Sequence, residues 1–358
     1  MADVQPEATA RHHDASEVVT ADPGEAQELY QARGWTDGLP VTPPTRELVD
    51  RFLDEVGFEA RDVVAVEPVR QRPLSAEKLA VNAVMAGCVP AAFPVVVAAI
   101  RAMCREEYLL HGSSASTGGS APLLIVNGPI RTRLGMNSGY NALANASRAN
   151  ATIGRAVRLV LLNLLDFVPG RYDRSALGHP GKFTFCVAED EESSDWVPLA
   201  RERLPGLADT ASAVTVVACS SPHIVMNEWT RDPEEVLEAF AASIRANMLT
   251  YSIWSGDYTL VLGGQLRDTL TAAGWTKQDV RRYVAGSARV TRGQWREVGK
   301  GALVDEDNRD REYRALDHPD DLLVVAAGGP ANGFGAVIPP WYGKKSRAVT
   351  VPIEEPTR

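Results

Sequence analysis

The chain has 358 residues, four cysteines and a formal net charge of −9. Its composition, 45% hydrophobic and 23% charged, is that of a globular protein and excludes collagen, a coiled coil and a mainly disordered chain. An acidic chain lacks the basic stripe that a nucleic-acid partner requires. No uncharged apolar run reaches the roughly 18 residues of a membrane span, so no membrane partner is expected.

Residues 1–24 are rich in Ala, Asp, Glu and Thr and predict a flexible arm without a secretory core; His12 and His13 sit in it as solvated residues. A short helix begins near Glu25, followed by a turn at Gly34-Trp35-Thr36-Asp37-Gly38-Leu39-Pro40. Leu48, Phe52 and Val56 recur at helical spacing and predict a helix over 45–56. Val63–Val66 reads as a strand, and Ser75 as the cap of a second helix. A third, largely buried helix is expected over 94–109. A hydroxyl-rich loop, His111 to Ser120, leads into an apolar strand ending at Asn127. An Asn/Gly-rich segment precedes a helix over 152–167. Strands are expected at 183–188, 213–219, 258–262 and 322–327, with helices after Asp232, near Leu266 and near Gln278.

Apolar strands separated by helices predict an α/β fold with mixed or parallel sheets covered by helices. Two subdomains are expected, over 25–206 and 207–358, divided near Leu204–Asp209. Several strands stop at glycine, where the backbone can approach a ligand.

Candidate site residues follow from this pattern. Ser116, Thr117 and Gly118 offer hydroxyls and backbone N–H groups to an anion, although no Gly-Lys-Ser/Thr follows to make a P-loop. Asn127, Arg131 and Arg155 suit a carboxylate or amide. Gly328, Gly329 and Asn332 form a second cradle, in which Pro330 removes a donor and argues against a dinucleotide fold. His111 and His223 titrate near neutrality and are candidate acid/base groups. Cys219, beside Ser220, Ser221 and His223, has the ingredients of a nucleophile, and Asp37 is a candidate carboxylate. Lys182 is a further candidate cation, and Glu189–Glu192 reads as a solvated acidic run. The widely spaced cysteines predict reduced thiols, a cytoplasmic setting and no structural metal; no cofactor is specified. All these loops are expected to converge on one pocket.

Gly34-Trp35-Thr36-Asp37-Gly38-Leu39-Pro40-Val41-Thr42-Pro43-Pro44-Thr45 resembles a signature of a bacterial protein family associated with UGSC (seleno)proteins, small redox proteins carrying Cys/Sec-Gly-Ser-Cys. Asn150-Ala151-Thr152-Ile153-Gly154-Arg155-Ala156 and Ala327-Gly328-Gly329-Pro330 are similar to further signatures of it, and the likeness runs over most of 25–352. The resemblance implies enzymatic work on a small molecule with a thiol or seleno redox partner protein, since this chain has no Cys-Gly-Ser-Cys of its own. It implies no particular catalytic residue. The expected function is therefore a homo-oligomeric small-molecule enzyme, an oxidoreductase or lyase acting on a polar or anionic substrate. A Cys219- or Ser116-dependent hydrolase of an amide or ester, and a non-catalytic companion subunit of a redox enzyme, are the alternatives.

Overall fold

The computed structural model describes residues 11–144, 147–251, 254–341 and 346–355. Its first part is mostly helical: α1 (Pro23–Arg33), α2 (Arg46–Val56), α3 (Ala76–Met85), α4 (Phe93–Met103) and the short α5 (Leu110–Ser114), with a ribbon of β1 (Val63–Glu67) and β2 (Arg72–Ser75) among them. Then come β3 (Ala121–Asn127), α6 (Ile130–Arg133), α7 (Arg148–Asn163), β4 (Cys186–Ala188), α8 (Leu199–Arg203), β5 (Ser212–Cys219) and β6 (His223–Met226). The rest comprises α9 (Pro233–Thr250), β7 (Tyr258–Leu262), α10 (Gly264–Ala272), α11 (Lys277–Ser287), β8 (Arg289–Thr291), β9 (Glu312–Arg314), β10 (Leu322–Ala326), β11 (Phe334–Ile338) and β12 (Val349–Ile353).

Two mixed four-stranded sheets, ordered β12-β5-β3-β4 and β10-β7-β11-β6, stack face to face. Strand alternation decides which layer each side chain joins. Leu124 and Val126 of β3 point to a core with α2, α3, α4 and α7, whereas Leu123 and Ile125 point between the sheets. Leu260 of β7 and Val324 of β10 face a core with α9, α10 and α11, whereas Val261 and Val325 meet the first sheet. The result is helices, sheet, sheet, helices: an α/β fold with mixed sheets, as the apolar strand runs predict.

Three expectations change. The division at 206/207 does not separate the sheets, because β3 pairs antiparallel with β5 along its whole length and β5 pairs with β12. The arm is partly anchored: the His13 side chain, 6% exposed, has Nδ1 2.9 Å from Glu77 and Nε2 3.0 Å from Asp50, while residues 1–10 lie outside the described residues. The third helix ends at Met103, and part of the hydroxyl-rich loop is the helical turn α5. Among the described residues, no single helix is long and apolar enough to cross a membrane.

Candidate functional site

The expected common pocket does not form, and β3 shows why. Its first residue, Ala121, lies opposite Cys219, and its last, Asn127, opposite Ala213. Seven residues at about 3.3 Å each separate these ends by about 20 Å. The hydroxyl-rich loop and Cys219 occupy one end. Asn127 and Arg131 occupy the other, joined there by the end of β10 through a hydrogen bond from Asp190 N to Ala326 O.

At the Asn127 end most of the donors are engaged by the protein itself, Arg131 Nε being buried without a partner among the described residues. Asn127 Nδ2 donates to Glu189 at 2.7 Å and Glu191 at 2.8 Å. Arg131 donates to the Glu189 carbonyl at 2.6 Å and to both oxygens of Glu192. Glu189 is buried, with Lys277 Nζ at 2.7 Å, so the acidic run is an internal anchor and does not simply face solvent. Gly328 N donates to Ser138 O, and Gly329 lies so close under the Tyr140 ring that a Cβ would come within 2.3 Å of it. Asn332 holds a left-handed turn at φ 45°. These residues build a joint between the sheets.

Asp37 and Arg155 find each other. The guanidinium donates to both carboxylate oxygens at 2.8 Å and to the Pro40 carbonyl at 2.9 Å, clamping the Trp35–Pro40 turn onto α7. Burial pushes Asp37 up, but hydrogen bonds and charge from Arg155 outweigh it and hold the carboxyl below its ordinary range. The segments 34–45 and 150–156 thus meet in a structural clip. Asp37 is not presented as a catalytic carboxylate, nor Arg155 as a substrate ligand.

The Cys219 end holds the hollow. Cys219 itself is fully buried between the sheets, its thiol against the Ala121 carbonyl, and burial pushes its pKa far up, which removes it as a nucleophile. His223 is exposed on the edge strand β6. The His111 ring packs 5.9 Å from Phe167, with Nδ1 buried and unpartnered among the described residues. Ser116 Oγ accepts from Gly118 N, the Gly118 carbonyl accepts from Tyr251, and the Thr117 carbonyl accepts from Ala176 N. The loop is thereby sewn to the segment 173–182. Gly119, at φ +74°, approaches Gly178 so closely that a Cβ would lie 3.1 Å from its Cα.

Between that loop, the 173–182 segment and α7 lies a narrow cavity of about 10 Å³, lined by Tyr108, Ser113, Ser114, Ser120, Arg158 and Lys182, with Asp173 beside them. That volume matches about one water molecule. Residues three apart share a helix face, so Arg155, Arg158 and Leu161 of α7 form one row, and the last two line the hollow. Lys182, at the end of a short helical turn after His179, lies 2.6 Å from Asp173 and 2.7 Å from Ser175 Oγ. Ser175 Oγ also donates to Asp173, at 2.6 Å. Burial raises Asp173, but hydrogen bonds from Lys182 and Ser175 bring it below the usual carboxylate range. Burial lowers Lys182 and outweighs the Asp173 carboxylate, so its ammonium is more acidic than an ordinary lysine. His179 beside it is likewise lowered by burial, with the Cys219 carbonyl pulling the other way.

Arg158 differs from its neighbours. Its side chain is 13% exposed, and its one ion pair among the described residues is to Asp173 Oδ2 at 3.7 Å. It makes no hydrogen bond among the described residues, and burial lowers its pKa against the pull of Asp173. Among the described residues, Arg155, Arg158 and Lys182 face only Asp37 and Asp173, three positive charges against two negative ones. Sequence reading singled out Lys182 and Arg155 but missed Arg158, Asp173, Ser175 and Tyr108. The available signal was Arg158 itself, a charge set among the buried positions Val157, Leu159 and Val160.

No family model matches the chain, and no curated protein matches it in sequence. Among the described residues, no group of three or more His, Cys, Asp and Glu side chains is placed to hold a metal ion.

Proposed function

We propose that this protein is a small-molecule enzyme that binds an anionic substrate, a carboxylate above all, in the hollow between α7, the Ser113–Ser120 segment and the loop carrying Asp173 and Lys182. The observation that carries the reading is Arg158. A largely buried guanidinium that makes no hydrogen bond among the described residues, beside a carboxylate already taken by Lys182, fits a planar two-oxygen ligand. Lys182 is the proton-transfer group by position, since its Nζ lines the hollow and is held there by Asp173 and Ser175. Ser113, Ser114, Ser120 and Tyr108 supply hydroxyls around the guest. The present hollow admits about one water, so substrate entry involves an outward shift of the Gly112–Ser120 segment.

The reaction class this set supports is proton transfer next to a carboxylate, as in a lyase. The chain's own thiols suit neither redox work nor hydrolysis: burial pushes Cys88 up to about 11 and Cys104 up to about 12, and Cys186 and Cys219 are raised further. A redox reaction would take its thiols from a partner protein.

The test is thermal unfolding with oxalate, malonate or phosphate, against sodium chloride of equal ionic strength. A ligand at 100 times its Kd stabilises by about 2.7 kcal/mol, so a clear rise in Tm is expected with one of the carboxylates. Arg158→Leu should abolish the rise while remaining folded. If no anion exceeds the chloride control, or if Arg158→Leu responds as wild type does, the proposal fails.

A further inference from the structure

Among the described residues, the second sheet ends in β6, which has a neighbour, β11, on one side only. Ile224 lies opposite Ala336 and Met226 opposite Phe334. Directly opposed residues share a face, and Ala336 belongs to the layer between the two sheets. Ile224, Met226 and Phe334 therefore lie on the face that the first sheet covers elsewhere. Here it does not: Ile224 is 64% exposed, Met226 37% and Phe334 45%, with Trp229 just beyond the strand at 75%. For side chains of about 150–250 Å² each, these four leave on the order of 450 Å² of apolar surface in solvent. That is at the upper end of what a monomer shows, about 300–600 Å², and more than half of the roughly 800 Å² per partner of a standard interface.

Charge narrows the occupant. The chain carries a net −9, yet Pro222-His223-Ile224-Val225-Met226-Asn227 contains no Asp, Glu, Lys or Arg. Two copies can meet along this strand without placing like charges opposite each other. Exposed edges are ordinarily guarded by lysine, proline or a bulge, and β6 itself, beyond Pro222, carries isoleucine and methionine. Antiparallel pairing of a strand with its own copy is two-fold symmetric and closes at two subunits.

We propose that a second copy of this chain docks on β6, pairing β6 to β6 antiparallel and joining the two four-stranded second sheets into one of eight strands. The four apolar side chains are buried against their counterparts, and the edge N–H and C=O groups gain partners. The inference is independent of the anion site.

Sedimentation velocity of the full chain over a hundredfold range of concentration tests it. Wild type should sediment as a dimer, and Ile224→Lys and Met226→Lys as monomers with unchanged far-UV circular dichroism. Hydrogen exchange on wild type gives a readout that needs no variant: amides 223–226 should exchange about tenfold more slowly, or slower still, in the dimer than on dilution to monomer. If the Lys variants precipitate, that measurement decides alone. A wild type that stays monomeric, variants that remain dimeric, or exchange at 223–226 that ignores dissociation would each overturn the proposal, the first leaving the edge to a different partner.

Discussion

Asp173 serves two cations at once, Lys182 at 2.6 Å and Arg158 at 3.7 Å, with its own side chain 4% exposed. Removing its charge leaves two partly buried cations without compensation, a change that costs about 3–5 kcal/mol in a well-buried pair, and somewhat less here because Lys182 is 15% exposed. The pH dependence follows from the signs of the shifts. Asp173 is depressed in the folded state, so its contribution is present above the unfolded value, about 3.9, and is lost as pH falls through the lower folded value. Lys182 is also depressed, so the unfolded chain binds more protons between the folded value and about 10.4, and stability rises with pH across that alkaline window. Asp173→Asn should flatten the acid limb of unfolding free energy against pH. It should also steepen the alkaline rise, because Lys182 loses the partner that raises it. Urea denaturation from acid to alkaline pH reads both limbs; a variant profile parallel to wild type would show that Asp173 does not govern these charges. Of the three residues involved, only Lys182 stood out in the sequence. Asp173 and Lys182 sit in an irregular loop, and Arg158 comes from a helix, so no fixed spacing links them.

At the scale of elements, α7 is the organising piece. Its Arg155 clamps the Trp35–Pro40 turn, its Arg158 lines the hollow, and its Gly154 lets the loop before β4 pack against the helix. A Cβ on Gly154 would come within 2.4 Å of Thr184 Oγ1 and 2.7 Å of the Phe185 backbone nitrogen. Backbone cannot step aside as a side-chain tip can, so Gly154→Ala should destabilise by about 1–3 kcal/mol, the usual range for overpacking, despite the better helix propensity of alanine. The shift of α7 should also weaken anion binding at Arg158, which a thermal-shift titration measures alongside stability. Gly286 is the control: it also lies in a helix, with nothing within 4 Å of a Cβ, and Gly286→Ala should stabilise by up to about 1 kcal/mol. The elements that sequence predicted well were those with an apolar run and a cap, such as β3, β5, β7, β10 and α9 behind Asp232. β6 escaped because its four residues are largely exposed and carry no alternation to read. α7 starts at Arg148, ahead of the expected Thr152, because Ser147 caps it by accepting from Asn150 N.

Over the whole molecule, the sheets are built from interleaved parts of the chain, and beside the apolar layer between them a buried ionic cluster ties their ends together. Glu189 accepts from Lys277 Nζ at 2.7 Å, from Asn127 Nδ2 at 2.7 Å and from Leu199 N at 2.7 Å. It thus ties the end of β3 in the first sheet to α8 and to the start of α11, which covers the second sheet. Sequence pattern located these strands but not their pairing partners, since apolar periodicity records which face is buried and not which strand lies alongside. That is why glycine-flanked ends expected in one pocket fall at opposite ends of β3, and why a boundary drawn at 206/207 cuts a sheet. One consequence is measurable. Lys277 and Glu189 are 3% and 2% exposed in their side chains, so Lys277→Met should cost about 3–5 kcal/mol by stranding a buried carboxylate. Glu189→Gln strands the ammonium in turn, although Glu202 stands 3.7 Å from Lys277 and softens that loss. The double variant should cost clearly less than the sum of the two singles, with a coupling of about 1–3 kcal/mol in a double-mutant cycle. Each variant should still unfold in one transition followed by tryptophan fluorescence, because β3 and β5 join residues on both sides of the supposed boundary. Two separated transitions in the Lys277→Met variant would instead mean that the halves fold independently once the ionic joint is cut.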